Sequence, residues 1–177
     1  MPTREDIVLL ASYNTAMNAK LYDAAASLPK EAVSADRGAF FGSIQGSMNH
    51  IAAGDTIWLR RFLAHPAKLT SLGAMADIPA PTGLAYRFSE DLDVLLQHRI
   101  RLDAIIEAMA AEICDADLAQ AVPYTNSRGD FRKNFGGLLL HMFNHQTHHR
   151  GQASTLLSQS GVDIGVTDLV AWMPDCA

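Results

Sequence analysis

The chain has 177 residues, of which 49% are hydrophobic and 19% charged; this is enough for one domain with its own core and excludes intrinsic disorder. Its net charge of −5 comes from 14 Lys+Arg against 19 Asp+Glu, with no basic cluster, so no nucleic-acid partner is expected. The two cysteines, Cys114 and Cys176, form no C-x-x-C, which argues against a disulfide scaffold or a cysteine zinc site.

The N-terminal stretch, Met1-Pro-Thr-Arg-Glu-Asp-Ile, lacks the basic-then-apolar plan of a secretory signal. No apolar run approaches the ~20 residues needed to span a bilayer, so a cytoplasmic location without membrane contact is the expectation. From Thr3 to about Leu28, apolar residues recur at Ile7, Leu10, Tyr13, Met17, Leu21 and Ala24, the spacing of a helix. Thr3 with Asp6 forms a capping box, and Pro29 ends the segment. A second helix is predicted from near Asp36 to about Ala64. Its stripe is Phe41, Ile44, Met48, Ile51, Asp55, Trp58 and Phe62. Gly38, Gly42 and Gly46 would lie on another face, packed against a neighbouring helix.

Residues 67–87, with Pro79, Pro81, Gly73 and Gly83, read as a long connection with one helical turn at Leu72–Ala76. Such a connection can run the length of the molecule and make helices two and three parallel. The third helix follows Ser89, with stripe residues Leu92, Leu95, Leu96, Arg99, Leu102, Ile106 and Met109. Turn chemistry at Asn126–Gly129 permits a short β-hairpin. A fourth helix runs from about Lys133 to Gln159, stopped by Gly161. The apolar tail from Val166 to Trp172 is expected to pack onto the helices. The fold class is therefore all-α: a single four-helix bundle over residues 1–177.

Four of the seven histidines lie within nine residues: His141, His145, His148 and His149. The core stripe of the fourth helix runs through Leu138, Met142, His145, His149, Gln152 and Leu156. Buried imidazoles need partners. At i and i+4, His145 and His149 are about 6 Å apart along the axis and can converge on one ion. His141 and His148 lie on a flank, as surface or supporting groups. His50 is the best third ligand, because Gly46, Ser47 and Gly54 leave room around it. His98 sits in a charged context and reads as surface, and His65 reads as an imidazolium at a helix C-terminus. The H-E-x-x-H pattern fails because Gln146 replaces the glutamate. The Glu-x-x-His signature, the P-loop and the nucleophile elbow are absent.

Three blocks resemble the DinB-like (DNA-damage-inducible, YfiT-like) metalloenzyme family. They are Tyr13–Tyr22, the segment from Phe40 through His50-Ile-x-x-Gly-Asp55-x-x-Trp58, and His141-Met-Phe-Asn-His145-Gln-Thr-His-His149-Arg-Gly-Gln152. The tail Gly165-Val-Thr-Asp-Leu is also similar. The resemblance covers essentially the whole chain. It implies a four-helix bundle, a homodimer, and a divalent metal held by His50, His145 and His149. Zinc or nickel is the first expectation, with iron, manganese and copper left open. It also implies thiol-S-transferase-like chemistry on a small-molecule substrate, in which the metal activates a low-molecular-weight thiol or a water. A metal-dependent hydrolase and a non-catalytic, metal-stabilised binding or stress-response protein are the alternatives. Asp55 and Gln152 are candidate supporting residues. Asn49 and Asn144 read as helix-to-helix hydrogen-bonding groups, and Trp58 reads as core.

Overall fold

The computed structural model describes residues 1–175, so Cys176 lies outside the described residues. The chain is mostly helical with one small antiparallel sheet. In order, the elements are α1 (Arg4–Ala26), α2 (Lys30–Ser34), α3 (Ile44–Phe62), a 3₁₀ segment (Thr70–Asp77), α4 (Leu92–Glu112), α5 (Asp115–Leu118), β1 (Ala121–Asn126), β2 (Gly129–Asn134), α6 (Phe135–Ser158) and a 3₁₀ turn (Leu169–Trp172). No helix of the described residues is long and apolar enough to cross a membrane.

Local chemistry sets the boundaries. Thr3 and Asp6 form the capping box at the start of α1. Asp91 caps α4 by accepting from the Asp93 and Val94 amides; Ser89 instead accepts from the Asp91 amide. The hairpin has the register Asn126 opposite Gly129. Pro29 does not merely end the first helix, since it also starts α2, a short turn that the apolar spacing does not reveal.

The second predicted helix begins at Ile44, not Asp36. Gly38 and Gly42 have φ of +69° and +76°, left-handed values that no helix interior accepts and that glycine tolerates. They fold residues 35–43 into a compact loop instead of forming a packing face. That loop lies on the first turn of α3, where a Cβ on Gly46 would stand 1.9 Å from the Phe41 carbonyl oxygen. With this loop on one side and the 63–91 connection on another, every residue from Ile44 to Thr56 is buried.

Cross-helix bonds give the directions. Arg4 donates to the Ala111 carbonyl and Asn18 to Asp103, so α1 and α4 run in opposite senses. Asn49 contacts Ser89 and Asp55 contacts Arg99, so α3 and α4 run in the same sense after the long connection. Phe62 meets Phe135 and His50 meets His149, so α3 and α6 are antiparallel. The apolar core is contributed by all four long helices, with Ile7, Leu21, Ile44, Phe62, Leu95, Ile106, Phe135 and Leu139 fully enclosed. Within it lies a charge network of equal and opposite sign. Arg99 pairs with Asp55 and, at 3.0 Å, with Asp103. Asn14 and Asn18 donate to Asp103 at 3.2 and 2.9 Å and accept from Arg150 of α6. Burial works against the Arg99 charge, but Asp103 and Asp55 outweigh it and the guanidinium stays protonated.

Two histidines differ from expectation. His65 is fully buried, accepting at Nδ1 from the Ala67 amide and donating from Nε2 to the Asp117 carbonyl, a neutral imidazole and not a terminal cation. His98 is half-buried, its ring stacked on Phe88 at 3.8 Å. Burial first, then Arg99 and Arg101, push its pKa down to about 4. An unfolded histidine titrates near 6.5. Between those values the unfolded chain binds a proton that the folded chain refuses, so stability falls as pH drops from about 6.5 towards about 4. In His98→Gln, acid unfolding should take up close to one proton fewer near pH 5. Urea midpoints of the metal-free protein between pH 7 and 4.5 test this, and superimposable pH slopes for parent and variant would refute it.

The tail touches α1, with Tyr13 donating to the Thr167 carbonyl at 2.5 Å and Lys20 to the Val166 carbonyl at 2.6 Å. It rides on the surface, however: Val170 is 72% and Trp172 40% exposed.

Candidate metal centre

Antiparallel packing of α3 on α6 brings His50 opposite His145 and His149. The Nε2 of His50 lies 3.1 Å from the Nε2 of His145 and 3.1 Å from that of His149. The three ligand atoms form a group that could hold a metal ion. Nitrogens at tetrahedral positions around an ion with ~2.0–2.1 Å bonds stand about 3.3 Å apart, close to the two separations from His50.

On His50 and His149 the outward-facing nitrogens fix which atoms carry lone pairs, whereas His145 Nδ1 is buried without a partner. His50 Nδ1 donates to the Leu84 carbonyl at 2.9 Å; a carbonyl can only accept, so the proton is on Nδ1 and Nε2 is free. His149 Nδ1 lies 2.8 Å from Gln152 Oε1, giving the same tautomer. Two Nε2 lone pairs therefore face each other with no proton between them, an arrangement that a shared cation satisfies. Burial, followed by the neighbouring imidazoles, pushes His145 down to about 3. Burial is also the main cause that lowers His50 and His149 below the ordinary imidazole value. All three are held neutral, the form that ligates metal.

Small and flat neighbours shape the space. A Cβ on Gly54 would lie 2.8 Å from His145 Cε1, so this glycine makes the room that the ring occupies. Phe41 stacks on His50 at 3.7 Å and meets His149 edge-on at 5.4 Å, covering one side of the cluster. Asn49 clamps the connection by accepting from the Phe88 amide at 2.7 Å and donating to the Ser89 carbonyl at 3.0 Å. That clamp holds the segment whose Leu84 carbonyl orients His50.

The remaining candidates separate clearly. Gln152 bridges His149 and His148, with its Nε2 3.1 Å from His148 Nε2. Asp55 is fully buried and pairs with Arg99 in the core network; no hydrogen bond joins it to the imidazoles among the described residues. His148, Asn144 and His141 are exposed, and the His141 ring lies 6.3 Å from that of His145. Trp58 is half-buried and packs against the edge of the core, with its ring also against Tyr124 and His141. The sequence reading missed Phe41 as a cover, the Leu84 carbonyl, and the buried pair Gln146 and Arg150. A four-three stripe through His145 and His149 follows the edge of α6 that faces α3. The deepest line of α6 runs instead through Leu139, Met142, Gln146, Ala153 and Leu157.

A mostly helical chain with three neutral imidazoles converging between two antiparallel helices has the features of a histidine-ligated metalloprotein. The sequence profile of the DinB family matches residues 1–174, and the chain belongs to that family. Protein DinB of Bacillus subtilis (strain 168) is 25% identical over 167 residues, covering 90% of this chain and 88% of that protein. No solved structure matches it significantly.

Proposed function

We propose that this chain is a divalent-metal-dependent enzyme of thiol-S-transferase type, folded as a DinB four-helix bundle, with His50, His145 and His149 as ligands. The observation that carries the reading is the 3.1 Å convergence of Nε2 atoms whose outer nitrogens, on His50 and His149, are already committed to oxygen acceptors. Three imidazoles suit zinc, nickel, iron and copper alike, and zinc or nickel is the first expectation. When bound, the ion lowers the pKa of a thiol or water at a position the protein leaves open.

The side chains do the rest. Leu84 and Gln152 fix ring orientation, Gly54 admits the His145 ring, and Phe41 shields the cluster on one side. No carboxylate hydrogen-bonds to the three imidazoles among the described residues, so a loaded centre keeps its full positive charge and favours an anionic nucleophile. In the transfer step the thiolate forms a carbon–sulfur bond to an electrophilic carbon, the bond to the leaving group breaks, and the thiol proton passes to solvent. A catalytic site in a bundle with its own apolar core should leave the fold largely intact when the ion is removed, whereas a structural site would couple strongly to folding. The cytoplasm and a homodimer are the setting and assembly this reading carries.

Elemental analysis of protein purified without a polyhistidine tag tests the proposal. Near one ion per chain is expected in the parent, with loss in His50→Ala, His145→Ala and His149→Ala. An ion-free parent under metal-replete conditions, or variants that keep the ion, would sink it. Consumption of a low-molecular-weight thiol with an aryl halide, against hydrolysis of an ester, then separates transfer from hydrolysis.

A further inference from the structure

A second feature lies one helical turn from His145, between α3, the hairpin and the first turn of α6. A cavity of about 420 Å³ opens there, lined by Trp58, Tyr124, Lys133, Leu138 and His141 among others. Its walls are flat rings: Trp58 meets Tyr124 at 5.3 Å and His141 at 5.1 Å, both edge-on. The one cation on its wall is Lys133, and a second, Arg61, stands behind the rings. The Arg61 guanidinium lies over the Trp58 and Tyr124 rings, 4.5 and 4.9 Å from their centroids. Neither Arg61 nor Lys133 has a salt-bridge partner among the described residues, and no acidic side chain lines the cavity. The first turn of α6, a 24-residue helix, contributes Gly137 and Leu138 to the wall and adds the positive end of the helix dipole. Burial and then the Lys133 and Arg61 charges lower the His141 pKa, which places both cations within electrostatic reach of its ring. An acid-free, cation-rimmed aromatic slot is unexpected on a chain of net charge −5.

We propose that this cavity binds the flat, anionic part of the substrate, an aromatic or conjugated carboxylate, and holds it beside the histidine centre. Contact with the Trp58 ring selects a planar group, while Tyr124 is already stacked on Phe131; Lys133 on the wall, with Arg61 over the Trp58 ring beside it, selects the negative charge. His141 lines the slot and its ring lies 6.3 Å from that of His145, a separation comparable to the length of two fused rings. The link to the centre rests on the metal reading above; the slot itself does not.

Calorimetric titration of the purified chain with 2-naphthoate, and with the neutral 2-naphthalenemethanol, tests the slot. Saturable naphthoate binding at least tenfold tighter than the alcohol is expected. It should weaken at least tenfold in Arg61→Gln/Lys133→Gln and in Trp58→Leu, and be unchanged in Arg101→Gln, a remote exposed cation. Naphthoate and alcohol binding equally, or a double variant that binds like the parent, would overturn the proposal. In Co²⁺-loaded protein, naphthoate should shift the visible cobalt bands; charge-dependent binding without that shift would overturn the link to the centre. Charge-dependent binding by a protein that retains no Co²⁺ would support the slot and overturn the metal reading.

Discussion

Replacing Arg99 with methionine should cost about 3–5 kcal/mol of folding stability, the range for removing one partner from a buried ion pair. The substitution leaves the Asp55 and Asp103 carboxyls enclosed, 0% and 5% exposed, with their shared counter-charge gone. Asn14 and Asn18 can still donate to Asp103, but neither is bonded to Asp55. Asp55 is therefore the group that suffers, and Asp55→Leu in the Arg99→Met background should recover part of the loss by removing the stranded charge. Urea unfolding of parent, single and double variants measures both effects. A loss below about 1 kcal/mol in the single variant would mean that water, and not Arg99, satisfies the carboxyls.

Gly54→Ala should separate metal binding from folding. A Cβ there would stand 2.8 Å from His145 Cε1, so the ring must move. Ligand groups need placement within about 0.5 Å to act together, and metal affinity should fall about tenfold or more. The same change improves helix propensity by about 1 kcal/mol. The metal-free variant is thus expected to be at least as stable as the parent, while the stabilisation gained on adding Zn²⁺ shrinks. Thermal melts with and without Zn²⁺, together with competition against a chelator, report the two effects separately. A variant that binds Zn²⁺ as tightly as the parent would show that the ring adapts and that Gly54 serves only close packing.

Much of this centre was legible because its chemistry interrupts a pattern. His145 and His149 stand at helical spacing where leucines would otherwise be, and small residues flank His50 at one-turn spacing. The hairpin, the capping box and the long connection were readable from turn and cap residues. The start of α3 was not, because glycines at four-residue spacing suit a helix face and a left-handed loop equally, and only the φ values decide. Nor was the environment of His50: a helix buried on all sides from Ile44 to Thr56 has no polar face for a period to reveal. Asp55 lay on the correct stripe, but its partner, Arg99, is forty-four residues away on another helix. Phe41 read as a helix residue, yet its role as a lid over two imidazoles comes from the loop that Gly42 and Gly46 permit.

The Leu84 carbonyl, the acceptor for His50 Nδ1, makes this part of the centre resistant to point mutation. Any residue at position 84 other than one that distorts the chain supplies the same oxygen, so Leu84→Ala should leave ring orientation intact. What the carbonyl does depend on is arc length. Two anchors fix the segment, Arg60 on the Met75 and Ile78 carbonyls at one end and Asn49 on Phe88 and Ser89 at the other. Adding or deleting a single residue between them would slide a different peptide group under His50. In descendants of this sequence, drift at the centre should thus be recorded in the length of the connection before it is recorded in side chains.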